Sequence, residues 1–401
     1  MIFEKFIFLK KNRLPIVLYN SLYSIANLLW TMLISYVVIK KTSVDFWGEF
    51  MTIFAVITFG THLVKWGNKT YLLKEFSSNP AQIKNIWNTA FYARIPIYLI
   101  VSLIAIWYYQ YDFNILLLVL LWILSDYIFS SLEAYIVYFK KFKTFFILDV
   151  VFILMVLFIL FTNGITIKLL LFIYTIRIFI KSIVAVFLFR KNLSFIIKKI
   201  DVSLLKKITP FFFIGLIGFL NSKLDFYATL YFLSDTEIGK YHILSNFILF
   251  GITLGSYIIV PFEKNIYRLQ TQKIKKIALN FLGLGVFISL LWMFISKFII
   301  LNIYGIDFSI NIYFIGFIYI LPIYYYWPIL HKLYSKDKIN ATLFVGLLSV
   351  IVNAIFILFL VPTYGIKGTM ISAIMGQLVQ LIGYIILSRS LTKSLKFTEN
   401  K

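Results

Sequence analysis

The chain has 401 residues, 61% of them hydrophobic and only 14% charged, and its 39 Lys and Arg against 16 Asp and Glu give a formal charge of +23. Such a composition excludes an ordinary soluble domain, and the absence of cysteine excludes disulfides, thiolate metal sites and a cysteine nucleophile. A basic surplus of this size would suit nucleic acid, but its placement along the chain assigns it to membrane topology instead.

Apolar stretches near twenty residues long predict twelve spans, at 14–39, 46–66, 86–109, 113–138, 144–162, 167–189, 208–233, 238–262, 277–301, 310–330, 340–361 and 366–388. The first is too long for a signal-peptide core and has no small-residue cleavage pattern, so it is expected to remain as an anchor. With the N-terminus set in the cytoplasm, one series of connections collects 29 of the 39 Lys and Arg. The opposite series holds only Lys40, Lys41, Lys168, Lys240, Lys297 and Lys367. That alternation predicts a multi-pass protein with both termini cytoplasmic. The exterior connections are short, as in YYQYDFN at 108–114. They leave no room for a soluble catalytic domain, and no enzymatic activity is expected.

Ionisable residues inside the spans are the informative exceptions, because each costs roughly 2.5–3.5 kcal/mol on insertion scales at mid-membrane. Lys65 closes the second span and Arg94 lies in the third. Asp126 and Glu133, seven apart in the fourth span, share a helical face, and Asp149 lies in the fifth. Arg177 and Lys181 in the sixth are four apart and share a face too. Three readings stay open for the cations: lining a wet cavity, salt bridges to Asp126, Glu133 and Asp149, or snorkelling to an interface. In the seventh span Lys223 and Asp225 are two apart, about 200° around a helix, and are not expected to face one cavity together. Asn221, Asn246, Asn353, Gln377 and Gln380 suit interhelical hydrogen bonds or sugar contacts. His62, His242 and His331 lack metal-ligand spacing, and no GxxxxGK[ST] phosphate loop exists. No metal, cofactor or ATP motor of that type is expected. Pro96, Pro322 and Pro328 predict bends, and 190–207 predicts either a short interfacial helix or a solvated basic linker.

The halves repeat. VDFWGEFMTIFAVITFG at 44–60 lies over DTEIGKYHILSNFILFG at 235–251 without a gap, matching Gly48, Ile57, Phe59 and Gly60 to Gly239, Ile248, Phe250 and Gly251. Six spans per half is even, so the repeat is parallel, with its axis along the membrane normal. The expected architecture is an all-α polytopic membrane protein of two six-helix bundles. Residues 1–190 form one, 191–207 the cytoplasmic linker and 208–401 the other.

WGEF after the first span, WGN and YLLKEF after the second, KLDFYATLYFL in the seventh, PFEKNIYRL after the eighth and VPTYGIKGTMISAIMGQLV before the last together form a recognisable pattern. It resembles the O-antigen and capsular polysaccharide flippases of the multidrug/oligosaccharidyl-lipid/polysaccharide exporter superfamily. The chain is shorter than expected for a twelve-span multidrug exporter and lacks the two extra spans of the lipid II flippases. The resemblance implies transfer of an undecaprenyl-diphosphate-linked oligosaccharide from the inner to the outer face of a bacterial plasma membrane, with a glycan polymerase as a candidate partner. It also implies alternating access driven by a Na+ or H+ gradient or by membrane potential. Arg177, Lys181, Arg94 and Lys65 would then bind the diphosphate, and Asp225, which matches the family's acidic seventh-span position, would carry the coupling ion with Lys223 beside it. The competing readings are a drug or metabolite cation antiporter of the same superfamily and a membrane glycan polymerase.

Overall fold

The computed structural model describes residues 14–110, 112–160, 164–193, 203–259, 266, 269–336 and 338–399. They form helices, with no strand among the described residues. In chain order these are α1 (Leu14–Lys41), α2 (Val44–Lys65), α3 (Asn68–Ser78), α4 (Ile83–Ala93), α5 (Ile95–Tyr109), α6 (Phe113–Tyr138) and α7 (Phe142–Ile159). There follow α8 (Ile167–Phe189), α9 (Ser203–Phe232), α10 (Asp235–Ile259), α11 (Thr271–Asn302), α12 (Ile310–Tyr334) and α13 (Ile339–Glu399). Among the described residues, ten stretches are long and apolar enough to cross a membrane. One of them runs 51 residues and contains a chain reversal, and α7 adds a further apolar helix of 18 residues. Trp107, Phe298 and Phe359 stand outward at 64–72% exposure, which suits a hydrocarbon solvent rather than water. The protein is a multi-pass, all-α membrane protein.

Two compact units divide the chain: Met1–Lys41 with Thr52–Leu216, and Thr42–Met51 with Ile217–Lys401. In the first, α1 packs on α7, α6 on α8, and α3 and α5 on α6. Its core gathers Phe76, Trp87, Leu132, Tyr135 and Phe145, and Trp87 Nε1 donates to the Ser131 carbonyl at 2.9 Å. In the second, α11 and α13 pack on α12, as does α10. The Tyr324 ring occupies the space that side chains at Gly255 and Gly285 would fill, and its hydroxyl donates to the Gly251 carbonyl at 2.8 Å.

The fourth and sixth predicted spans coincide with α6 and α8, while the others differ at their ends or interiors. The third span breaks at Arg94, with Pro96 opening α5 where its missing N–H is harmless. By contrast, α12 runs continuously through Pro322 and Pro328. The last two spans are joined at Gly365, whose φ of 53° and ψ of −131° only glycine adopts readily. Helix α3 extends the second span beyond the Trp66–Gly67 turn; Gly67 has φ 67°, and the Trp66 ring stacks on Phe212 at 3.9 Å. Of the 190–207 linker, Arg190–Asn192 is a single 3-10 turn and α9 begins at Ser203. Residues 194–202, where the interfacial helix was expected, lie outside the described residues.

The sequence repeat has a physical counterpart within the second unit. A side chain at Gly48 would overlap the backbone of Asp235, and one at Gly239 would overlap the backbone of Val44. Val44 and Asp235 are equivalent positions in the repeat, as are Gly48 and Gly239. The contact is therefore reciprocal, as across a two-fold axis. Trp47 Nε1 donates to His242 Nδ1 at 3.2 Å beside it, and Thr236 bonds Asp45.

At the start of α6, Asp112 caps the helix by accepting from the Asn114 and Ile115 N–H groups, and it pairs with Lys168 at 3.0 Å. The Lys168 bond, with the backbone donors, holds its carboxyl below the ordinary value of 3.8. A lowered folded-state value means that this stabilisation is present above the ordinary carboxylate range and fades as pH falls through the folded value. Melting curves from pH 7 down to pH 3 are expected to fall less steeply for Asp112→Asn than for wild type.

Candidate functional site

Ionisable side chains inside the first unit form two adjoining groups. In the first group, α7 presents Asp149, fully buried, and α8 presents Arg177 and Lys181 one turn apart. Arg177 Nη2 lies 2.7 Å from Asp149 Oδ1, and Lys181 Nζ lies 2.6 Å from that same oxygen. Arg177 Nη2 also donates to Asn27 Oδ1 of α1 at 2.7 Å. Aromatic faces of α1 complete the setting: the Trp30 ring stands 3.9 Å from the guanidinium carbon and the Tyr23 ring 5.4 Å from the ammonium. Tyr174 packs edge-on against Trp30 and stacks on Trp122. One carboxylate thus serves two cations. The rest of their charge is met by an amide oxygen and by ring quadrupoles.

In the second group, Lys65 pairs with Asp126 at 3.3 Å and Lys69 with Glu133 at 3.7 Å. Lys65 remains 41% exposed and Asp126 only 9%. Glu133 is also within electrostatic reach of Lys65 and Lys181, so the groups form one field. Across both groups, four cations meet three carboxylates. The unmatched charge sits on the Asp149 triad.

Arg94 departs from the expectation of a cavity cation. It is fully buried, because the break between α4 and α5 turns it inward onto helix ends. Its Nε donates to the Ala90 carbonyl at 3.3 Å and its Nη1 to the Val64 and Lys65 carbonyls at 3.2 and 3.4 Å. Nη2 donates to Ser131 Oγ at 2.5 Å, and the Tyr127 ring lies 5.1 Å away. These carbonyls close α2 and α4, where helix dipoles present their negative ends. Arg94 is a structural clamp. Arg94→Ala is expected to cost about 3 kcal/mol, since several buried acceptors lose their donor. Arg94→Lys is expected to recover little of it, because an ammonium cannot span the fork. Thermal unfolding of the detergent-purified variants checks both.

The second unit places Lys223 and Asp225 on one small cavity, contrary to the angular expectation. Lys223, Asp225, Tyr241, Ser222, Ser245 and Tyr319, among others, line a partly open cavity of about 20 Å³, room for about one water or a bare ion. The Lys223 ammonium lies 6.0 Å from the ring of Phe226, one turn along α9, and the length of the side chain means that the angle between Cα positions does not decide where it ends. Tyr241 donates to Asp225 Oδ2, while Oδ1 is buried without a hydrogen bond. Asn221, Gln377 and Gln380 link helices, whereas Asn246 bonds His242 one turn back in α10. Tyr326 bonds Gln377 and Gln380, Gln380 bonds Ser349, and Ser349 bonds Asn221. His242 accepts from Trp47.

Asn27, Tyr23, Trp30 and Lys69 belong to the first unit's charged field but were not singled out by sequence. Their one signal was spacing: Tyr23, Asn27 and Trp30 recur at helical intervals along one face of α1. Aromatic residues at that spacing are ordinary in an apolar span.

No family model matches the chain and no curated protein matches it. Solved structures share its fold. A point mutant of the MATE transporter VcmN from Vibrio cholerae superposes with a TM-score of 0.62 at 12% identity, over 95% of this chain and 96% of that one. An outward-facing multidrug resistance MATE family transporter of the MOP superfamily gives 0.59 at 13% identity, with 95% of each chain covered. The lipid II flippase MurJ, in an inward closed conformation, gives 0.54 at 14% identity over 92% of this chain and 87% of that one.

Proposed function

We propose that the protein is a flippase. Its cargo is a polyprenyl-diphosphate-linked oligosaccharide, a precursor of O-antigen or capsular polysaccharide, moved from the cytoplasmic to the outer face of a bacterial plasma membrane. The observation that carries this reading is the single Asp149 oxygen shared by Arg177 and Lys181. It leaves the triad with a net positive charge at mid-helix, met so far by an amide oxygen and ring faces, which an anionic cargo would balance. A diphosphate supplies such an anion and suits a guanidinium fork. Lys65, with 41% of its side chain exposed, is a further contact.

The fold shared with both MATE transporters and MurJ supports transport by alternating access. Both termini would be cytoplasmic, as the distribution of Lys and Arg favours. Asp225, whose Oδ1 has no hydrogen-bond partner, would carry a coupling Na+ or H+ with Lys223 close by. A glycan polymerase would receive the product on the far side.

The same Asp225 favours the competing reading, a cation antiporter. Reconstituted vesicles separate the two. The flippase is expected to render a fluorescent polyprenyl-diphosphate oligosaccharide of the inner leaflet accessible to an external membrane-impermeant reductant. Exchange of a lipophilic cation dye against an imposed Na+ or H+ gradient, without movement of the diphosphate lipid, would overturn the reading.

A further inference from the structure

We infer that Asp149 is a built-in stand-in for the cargo's anionic group: it occupies the cations of Arg177 and Lys181 while the protein is empty and is displaced when a diphosphate binds. The inference rests on the diphosphate reading of this site and adds how the site is kept folded and how it lets go.

The geometry shows an anion site occupied by a poor ligand. Both cations crowd one oxygen, at 2.6 and 2.7 Å. The other oxygen, Oδ2, is buried with no hydrogen-bond partner. Arg177 engages the carboxylate through Nη2 alone, and its Nε is likewise buried and unpartnered. A guanidinium fork holding a carboxylate normally uses two parallel N–H groups. Here one prong is idle, as is one acceptor. A purely structural ion pair, free to settle around a fixed Asp149, would be expected to bring Oδ2 and Nε together. Here they remain apart, each without a partner. A diphosphate approaches without a tether to the backbone and has oxygens enough to take Nε, Nη2 and the ammonium at once.

Such a stand-in resolves a difficulty of the empty state. A buried Lys181 and a largely buried Arg177 without an anion would repel each other across one helical turn, whereas with Asp149 they are held at a net charge of one. It also limits how tightly cargo is held, because each binding event must displace the carboxylate. Release is then assisted by its return. Removing Asp149 should make the site depend on an external anion and bind it more tightly.

The test uses the full chain in detergent, inorganic pyrophosphate as probe, and sodium chloride of matched ionic strength as control. Asp149→Asn is expected to melt below wild type in chloride and to be restored by pyrophosphate. The midpoint concentration for that stabilisation should be at least about tenfold lower than for wild type. Adding Arg177→Gln should abolish the effect. Equal midpoints, or equal stabilisation by chloride, would overturn the inference. Should Asp149→Asn not fold, Asp149→Asn with Lys181→Met is compared with Lys181→Met alone, and the same tenfold inequality is required. A wild-type protein that fails to move diphosphate lipid refutes the cargo and leaves the pyrophosphate comparison standing. Equal midpoints in a protein that does move it refute the stand-in alone.

Discussion

Arg177→Ala and Lys181→Ala are each expected to lower translocation of the diphosphate lipid by roughly 10- to 100-fold while leaving the protein folded. The magnitude follows from losing one charge-assisted contact to phosphate, about 1.5–3 kcal/mol. The folding expectation follows from the shared oxygen. Removing either cation leaves the other paired one-to-one with Asp149, so no buried charge is stranded. The double variant differs in kind. It deprives a fully buried carboxylate of both partners, at about 3–5 kcal/mol, and is expected to lose folded protein from the membrane. Adding Asp149→Asn to the double variant should return the protein to the membrane without returning transport. Flipping in vesicles at matched protein density, together with melting of each variant, measures both effects. Single variants that flip at wild-type rates would remove the role assigned to the cations.

The membrane fold was legible because the constraint behind it is strong. Every backbone polar group in hydrocarbon must be bonded within its own helix, and that requirement leaves apolar runs of span length in the sequence. Span limits agreed best where a cap stands next to an apolar run, as Asp112 does for α6 and Thr166 for α8. They agreed least where the helix continues beyond the apolar window. Helix α3 carries only half-apolar turns after Gly67, and α9 begins five residues before its predicted span.

The charged site was legible as a set of residues but not as a set of partnerships. Spacing placed Arg177 and Lys181 on one face, yet only packing of α7 on α8 selects Asp149 over Asp126 and Glu133. Arg94 could not be assigned from sequence, since its environment is made of backbone carbonyls at two helix ends and backbone atoms leave no compositional trace. Lys223 and Asp225 illustrate the limit of angular arithmetic: a long side chain can end far from the direction in which its Cα points.

The repeat leads to the other large effect. Gly48→Ala is expected to cost roughly 2–3 kcal/mol, and Gly239→Ala a comparable amount, because the added methyl in each case meets backbone. At Gly48 it would overlap the Asp235 carbonyl. At Gly239 it would overlap the Val44 carbonyl and lie 3.3 Å from the Gly48 nitrogen. Neither backbone can yield without separating the start of α2 from α10, which would pull Trp47 away from His242 and Thr236 from Asp45. The control is internal: Gly218 and Gly283 face open space, and their replacement by Ala in a helix should be neutral or mildly stabilising. Since the two critical glycines guard one crossing from its two equivalent sides, their effects should not add. Once the first methyl has opened the contact, the second finds room, so the double variant should melt well above the additive expectation. Gly48→Ala melting like Gly283→Ala would mean that the close approach is not required. Additive losses would mean that the two positions act separately, and the repeat would then have no shared contact to preserve.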